Sequence, residues 1–295
     1  MEPQIVNADP RYAPATLLEP SASGYIHLAA EINPPRRPGP IVFRGRSKTA
    51  LLTSLDELAR GLEQVDGVER VTLYEAVAIP PLSRFPYVKE HVDGISLPRF
   101  DVVLLVETRS PGVIRDVQAS AAYRALLGAL SAAARRVHVM AARNAKRLGD
   151  VDRDRQGLFL FNYFVADDAD RALRLWDHLA GWYEVETGLH NSTLLVPVEG
   201  ERSDYLAINH ARWDEGVPRF LSRQLLKKSF RTFVRANLEA NQVGVMPVLY
   251  RLARPEPLPA ARAMPVLVAA AAVLSATLAA TALRRGRARS RRWWR

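Results

Sequence analysis

The feature that most constrains this chain is an internal similarity at fixed offsets. Asp56, Leu58, Ala59, Gly67, Thr72 and Leu73 recur 121 residues later as Asp177, Leu179, Ala180, Gly188, Thr193 and Leu194. Further on the offset is shorter. Asp101 precedes VVLLV as Asp204 precedes YLAIN, 103 residues apart, and Val137-His-Val-Met140 returns as Val243-Gly-Val-Met246 after 106. The order is conserved while the offset changes only between elements, which is how two copies of one supersecondary unit look after loops have diverged.

Each copy reads strand, helix, strand, strand, helix, strand. In the first copy strands are expected at 40–44, 68–78, 100–107 and 136–142, with helices at 47–64 and 112–134. In the second copy strands are expected at 157–165, 190–197, 204–213 and 243–251, with helices at 168–184 and 217–238. Ala169, Ala172, Leu173, Trp176, Leu179, Ala180 and Tyr183 recur at helical spacing. Leu158-Phe-Leu-Phe and Val102-Val-Leu-Leu-Val are dense in sheet formers. The pattern is therefore an α+β fold of two tandem ferredoxin-like βαββαβ units. Residues 1–36 form a Pro-punctuated extension with one edge strand at Tyr25–Ala30. The units occupy 37–150 and 151–252. The offset shortens across Ile79–Pro98, a Pro-rich loop present only in the first unit, and a loop of that length is more often functional than idle.

Residues 253–262 read as a linker to Ala263–Leu283, which holds 21 residues without a charge. At about 1.5 Å per residue such a helix reaches roughly 30 Å, enough to cross a bilayer core. A buried Ala-rich helix or an interfacial one is the competing reading. The last twelve residues, 284–295, carry seven Arg and no acid. Without them the chain has 34 basic against 31 acidic residues. The charge thus belongs to a tail suited to anionic lipid headgroups, and no nucleic-acid partner is expected. The N-terminus lacks a basic stretch followed by an apolar run. The expectation is a single-pass C-terminal membrane anchor with a cytoplasmic body, although the positive-inside rule would draw the tail to the same side.

The second unit resembles the dimeric α+β-barrel proteins of the antibiotic-biosynthesis-monooxygenase type. The residues that carry the likeness are LFLFNYFV on the first strand, LWDHLAGWYE on the helix, Thr187-Gly-Leu189, YLAINHARW, and SFRTF on the second helix. The resemblance implies that the two units close an intrachain pseudo-dimeric α+β barrel around a cavity for a small hydrophobic or aromatic molecule. It also implies oxygenase chemistry without a cofactor. Haem-degrading members use a first-strand Asn, a Trp ending the third strand and a His on the following helix. The first two fall on Asn162 and Trp213. The helix after Trp213 carries Arg223, Lys227 and Lys228 but no His, so haem is not expected. In the first unit Ile41 is taken to stand where Asn162 does.

The candidate ligand-binding residues are Asn162, Asn209 and Trp213, with Phe164 and Trp182 as walls. Asn162 in an apolar strand is either a cavity group or a satisfied sheet amide. Asn209 and Trp213 share one strand face and are assigned to the barrel; His210 and Arg212 take the other face. Six His are present, none in a metal-spaced pair, so no metal site is expected. No general base stands out. Two functions remain: a membrane-anchored protein that binds, with or without oxidising, a small hydrophobic or aromatic molecule, or a non-catalytic membrane-tethered interaction or scaffold protein.

Overall fold

The computed structural model describes residues 2–34, 42 and 45–253. The proposed membrane helix, its Arg-rich tail and nearly all of 37–44 lie outside these residues. Among the described residues no helix is long and apolar enough to cross a membrane.

Eight strands close a barrel: β1 (Gly24–Glu31), β2 (Val68–Ala78), β3 (Val102–Thr108), β4 (Arg136–Gly149), β5 (Leu158–Ala166), β6 (Ser192–Pro197), β7 (Ala207–Trp213) and β8 (Val243–Leu252). Their order around the barrel is β1-β3-β2-β8-β5-β7-β6-β4, with β4 paired back to β1. Each half is a four-stranded antiparallel sheet, β4-β1-β3-β2 in the first and β8-β5-β7-β6 in the second. The halves are sewn together by β2 against β8 and by β4 against β6. None of these eight strands is left with an unpaired edge, the usual weak point of a small open sheet.

The opening strand of the first half is β1, not the expected segment 40–44. β1 is no edge strand either, since it lies between β3 and β4. The residues just after β1 and Lys48 of the first helix meet at one carboxylate. Asp101 accepts from the backbone N–H of Ile32 (2.7 Å) and Asn33 (3.1 Å) and from Lys48 Nζ (2.8 Å), and Asp101 and Lys48 are both buried.

Strand register corrects a second position. Asn162 lies beside Asn209 and Pro247, whereas Ile26 lies beside Val106 and Ala141. Offsets of 103 and 106 residues are therefore both satisfied with Ile26, rather than Ile41, as the counterpart of Asn162. Thr72 faces Leu105, while Ile208 faces Leu195. Thr72 thus corresponds to Leu195, two residues beyond Thr193 and on the same sheet face.

Helices cover both sheets. The first sheet carries α1 (Arg46–Leu62), α3 (Ile114–Ala119) and α4 (Ala121–Ala133). The helix expected over 112–134 is broken at Ser120, whose backbone is extended and whose Oγ caps α4 by accepting from the Tyr123 N–H at 3.1 Å. The second sheet carries α5 (Ala169–Thr187), which begins at Asp168 and ends at Gly188 in the left-handed region, φ 70°. The helix expected over 217–238 is three pieces: α6 (Val217–Leu225), a π-helical stretch (Phe230–Arg235) and α7 (Ala236–Ala240). The Ile79–Pro98 insertion contains a short 3-10 turn (Leu82–Arg84) and α2 (Pro86–Glu90).

Because strand side chains alternate, each sheet has one face in the barrel and one under helices. The lumen is filled with aromatic rings, among them Tyr74, Phe159, Phe161, Tyr163, Tyr205 and Tyr250. Leu158, Leu160 and Phe164 of β5 point the other way, into a cluster with Trp176, Leu179, Trp213 and Phe220.

Candidate functional site

One apolar space lies outside the barrel, between the second sheet and its helices; a wider, polar cavity of about 630 Å³ opens at the barrel end beside Tyr25, Glu107, Arg153 and His210. The apolar space is a narrow slot with a cavity volume of about 50 Å³. The sheet supplies its floor through Leu160, Asn162, Phe164, Asn209, Trp213 and Pro247, and α5 supplies a wall through Trp176, Leu179, Ala180 and Tyr183. Phe220 and Gln224 of α6 close the far side, and Arg84 and Phe85 reach in from the insertion of the first half.

Four of the five expected ligand residues line this slot: Asn162, Asn209, Trp213 and Phe164. Two expectations about them are corrected. Asn209 and Trp213 face the helices, and it is His210 and Arg212 that turn to the lumen, where His210 stacks on Phe161 at 4.5 Å and Arg212 lies over Phe159. Trp182 is not a wall. It is fully buried on a neighbouring face of α5, against Tyr12, Tyr183 and Phe230. Trp176 occupies the slot-facing position instead, seven residues before Tyr183 and so two turns along the same helix face.

The polar groups differ in how free they are. Trp213 Nε1 donates to Thr187 Oγ1 at 3.1 Å, and Thr187 Oγ1 in turn donates to the Tyr183 carbonyl at 2.6 Å. The indole N–H is thus committed, and Trp213 offers the slot only its ring, braced by Phe220 at 4.5 Å. Asn209 Oδ1 accepts from Ser192 Oγ at 2.7 Å. The Tyr183 hydroxyl accepts from Gln224, and burial pushes its pKa up to about 12, so it stays neutral.

Asn162 Oδ1 is different, being buried with no hydrogen-bond partner. At its register position β8 carries Pro247, which has no N–H to give to the ladder. Asn162 was visible in the sequence; its pairing with Pro247 was not.

Arg84 escaped sequence reasoning altogether. It lies in the insertion, half-buried, and among the described residues its guanidinium makes no hydrogen bond or ion pair. Its recorded contact is with the ring of the adjacent Phe85, 5.0 Å from the centroid. Burial pulls its pKa down to about 10, yet it remains a cation at neutral pH.

The lining carries no His, Met, Cys or Lys, and no carboxylate. Haem would find only the Tyr183 oxygen as an axial donor, so the residues present do not fit that group. Among the described residues no cluster of three or more His, Asp or Glu is placed to hold a metal ion. His210 cannot serve the slot as a base from inside the lumen, where burial holds its pKa well below the usual imidazole value.

No protein-family model and no curated protein matches the sequence. Solved structures do match the fold. An anthrone oxidase-like protein superposes with a TM-score of 0.56 at 13% identity, covering 83% of this chain and 100% of its own. A monooxygenase candidate from Fusobacterium nucleatum subsp. nucleatum superposes with a TM-score of 0.51 at 7% identity, covering 79% of this chain and 94% of its own. The chain thus has the mixed α+β fold, built on an eight-stranded barrel, of these monooxygenase-like proteins.

Proposed function

We propose that the slot beneath the second sheet binds a flat, largely apolar aromatic molecule and holds it for oxidation, as a cofactor-independent monooxygenase would. One observation carries the reading: Asn162 Oδ1 stands without a donor in a largely apolar cleft. An unsatisfied buried acceptor costs about 1–3 kcal/mol, which a ligand O–H or N–H would recover. A few placed polar groups in an aromatic cleft are the usual composition of a small-molecule site. Phe164, Trp176, Trp213 and Phe220 offer ring faces and edges for stacking.

With no acid or base along the slot, the protein's part is to position the substrate and exclude water, and the substrate must ionise readily by itself. In balance, dioxygen takes two hydrogens from one substrate carbon and delivers one oxygen atom to it as a carbonyl. The second oxygen atom leaves as water, so no external reductant is consumed. We also propose that Ala263–Leu283 anchors the chain in a membrane, from which a lipid-soluble substrate could partition into the slot. The absence of a base favours a second reading, a binding protein that does no chemistry.

The test is mass spectrometry of small molecules retained by the detergent-extracted protein, beside Asn162→Ala and the slot-filling Ala180→Phe. We expect an aromatic compound in the wild type, depleted in Asn162→Ala and absent from Ala180→Phe, with the circular dichroism of all three alike. Equal retention in all three would remove the slot. A ligand retained but unchanged after exposure to dioxygen would favour the binding reading.

A further inference from the structure

Resting on the slot as the binding site, we infer that its ligand is an aromatic oxyanion, and that Arg84, delivered from the other half of the molecule, is its counter-ion. The argument starts with what Arg84 lacks. Buried cations elsewhere are paired: Lys48 with Asp101 at 2.8 Å, and Arg153 with Glu107. Arg84 has no such partner among the described residues and no carboxylate lines the slot; besides burial, the groups that act on it are the neutral Tyr183 hydroxyl and Arg235, a charge of the same sign. A guanidinium is poorly tolerated in an apolar cleft without an anion, and its planar fork suits a carboxylate or phenolate.

Its placement is also built rather than incidental. The insertion that carries Arg84 exists only in the first half, yet it is fastened to the second. The Tyr87 hydroxyl donates to Asp167 Oδ1 at 2.7 Å, just ahead of α5. Val88 and Tyr87 sit against Gly244 of β8, where a Cβ would come within 2.7 Å of Val88 Cγ2 and 2.9 Å of Tyr87 Cδ1. The Tyr205 hydroxyl donates to the Ser96 carbonyl at 2.9 Å near the other end of the loop. These fastenings hold Phe85 buried and Arg84 beside it at the slot.

The two free polar groups then describe the ligand. Asn162 Oδ1 asks for a donor, and Arg84 asks for a negative oxygen. A fused aromatic ring system bearing a hydroxyl and an ionised oxygen satisfies both. A bound phenolate also removes the need for a protein base, because it arrives already deprotonated, whereas a carboxylate serves only to anchor the ring.

Calorimetry with matched probes tests this on the full chain in detergent. The probes are 6-hydroxy-2-naphthoate and its methyl ester, which share ring and hydroxyl and differ in charge. The phenolate arm is 4-nitro-1-naphthol at mildly alkaline pH. A charge-assisted pair should favour the naphthoate over the ester by about tenfold or more. In Arg84→Gln that preference should vanish through loss of naphthoate affinity, with ester affinity unchanged. Naphthol binding that also falls in Arg84→Gln assigns the phenolate as an accepted form; unchanged naphthol binding restricts the site to carboxylates. Equal affinity for naphthoate and ester in the wild type, or a preference that survives Arg84→Gln, overturns the inference and leaves the slot standing. Binding of no probe by the wild type removes the slot and the inference together.

Discussion

Gly244 is the position at which the joint between the two halves can be tested with one methyl group. A Cβ there would stand 2.7 Å from Cγ2 of both Val165 and Val88 and 2.9 Å from Cδ1 of Tyr87. All three neighbours are side chains, so the site can yield. Val165 is held by its strand, directly across from Gly244, so the easier movement is of α2 away from the barrel. Overpacking of this kind costs about 1–3 kcal/mol. We expect Gly244→Ala to lower the urea-unfolding free energy by that amount with an unchanged m-value, and to weaken 6-hydroxy-2-naphthoate several-fold while sparing its methyl ester. Adding Val88→Ala should restore part of both losses, with a coupling of at least about 0.5 kcal/mol. A destabilisation below about 0.5 kcal/mol with naphthoate affinity intact would show that the insertion does not depend on this contact. So would a double variant whose losses simply add.

Three further outcomes follow. Arg84→Met should stabilise the ligand-free protein by about 1 kcal/mol, because an unpaired charge is exchanged for an apolar side chain; a loss of stability in thermal melts would mean that Arg84 has a partner. His27, His138 and His210 are kept neutral by burial, with His138 held to about 4. Below pH 6.5 the unfolded chain therefore binds protons that the folded one refuses, and stability falls with acid until the folded groups titrate. His210→Phe should reduce that slope by up to about 1.4 kcal/mol per pH unit in chemical denaturation across this window, and an unchanged slope would refute a neutral His210. Deleting residues 263–295 should release the protein from membranes, whereas high-salt washing of the full chain should not; release of the full chain by salt alone would refute the anchor.

Much of the fold could be read from periodicity, since β2 was expected with its observed bounds and β5 and β8 to within one residue at each end. The offsets of 103 and 106 residues also agree with strand register around Asn162 and Ile26. β1 was misjudged because Ile41-Val-Phe has the stronger sheet propensity and lies at the expected distance from α1. The end of the true strand is held by Asp101, which accepts from Ile32 and Asn33, a contact across some seventy residues that no local pattern carries. Pairing Asn209 with Trp213 on one face followed from the period of two. Choosing which face looks inward did not, because β5 and β7 are buried on both sides and their composition is nearly the same on each. Arg84 could not be read at all: its importance lies in a missing partner, and only a folded structure shows what an arginine fails to meet.

The reciprocal pairing of edge strands has one more consequence. In a barrel made from two identical chains, any loop added to one copy is added to the other, and both sites change together. Here β2 meets β8 and β4 meets β6 within a single polypeptide, so the halves can diverge separately. The first half has Ile26 where the second has Asn162, and it has given its extra loop to its neighbour. On the proposed function, one half is the receptacle and the other supplies part of its wall, a division of labour that two-fold symmetry would forbid.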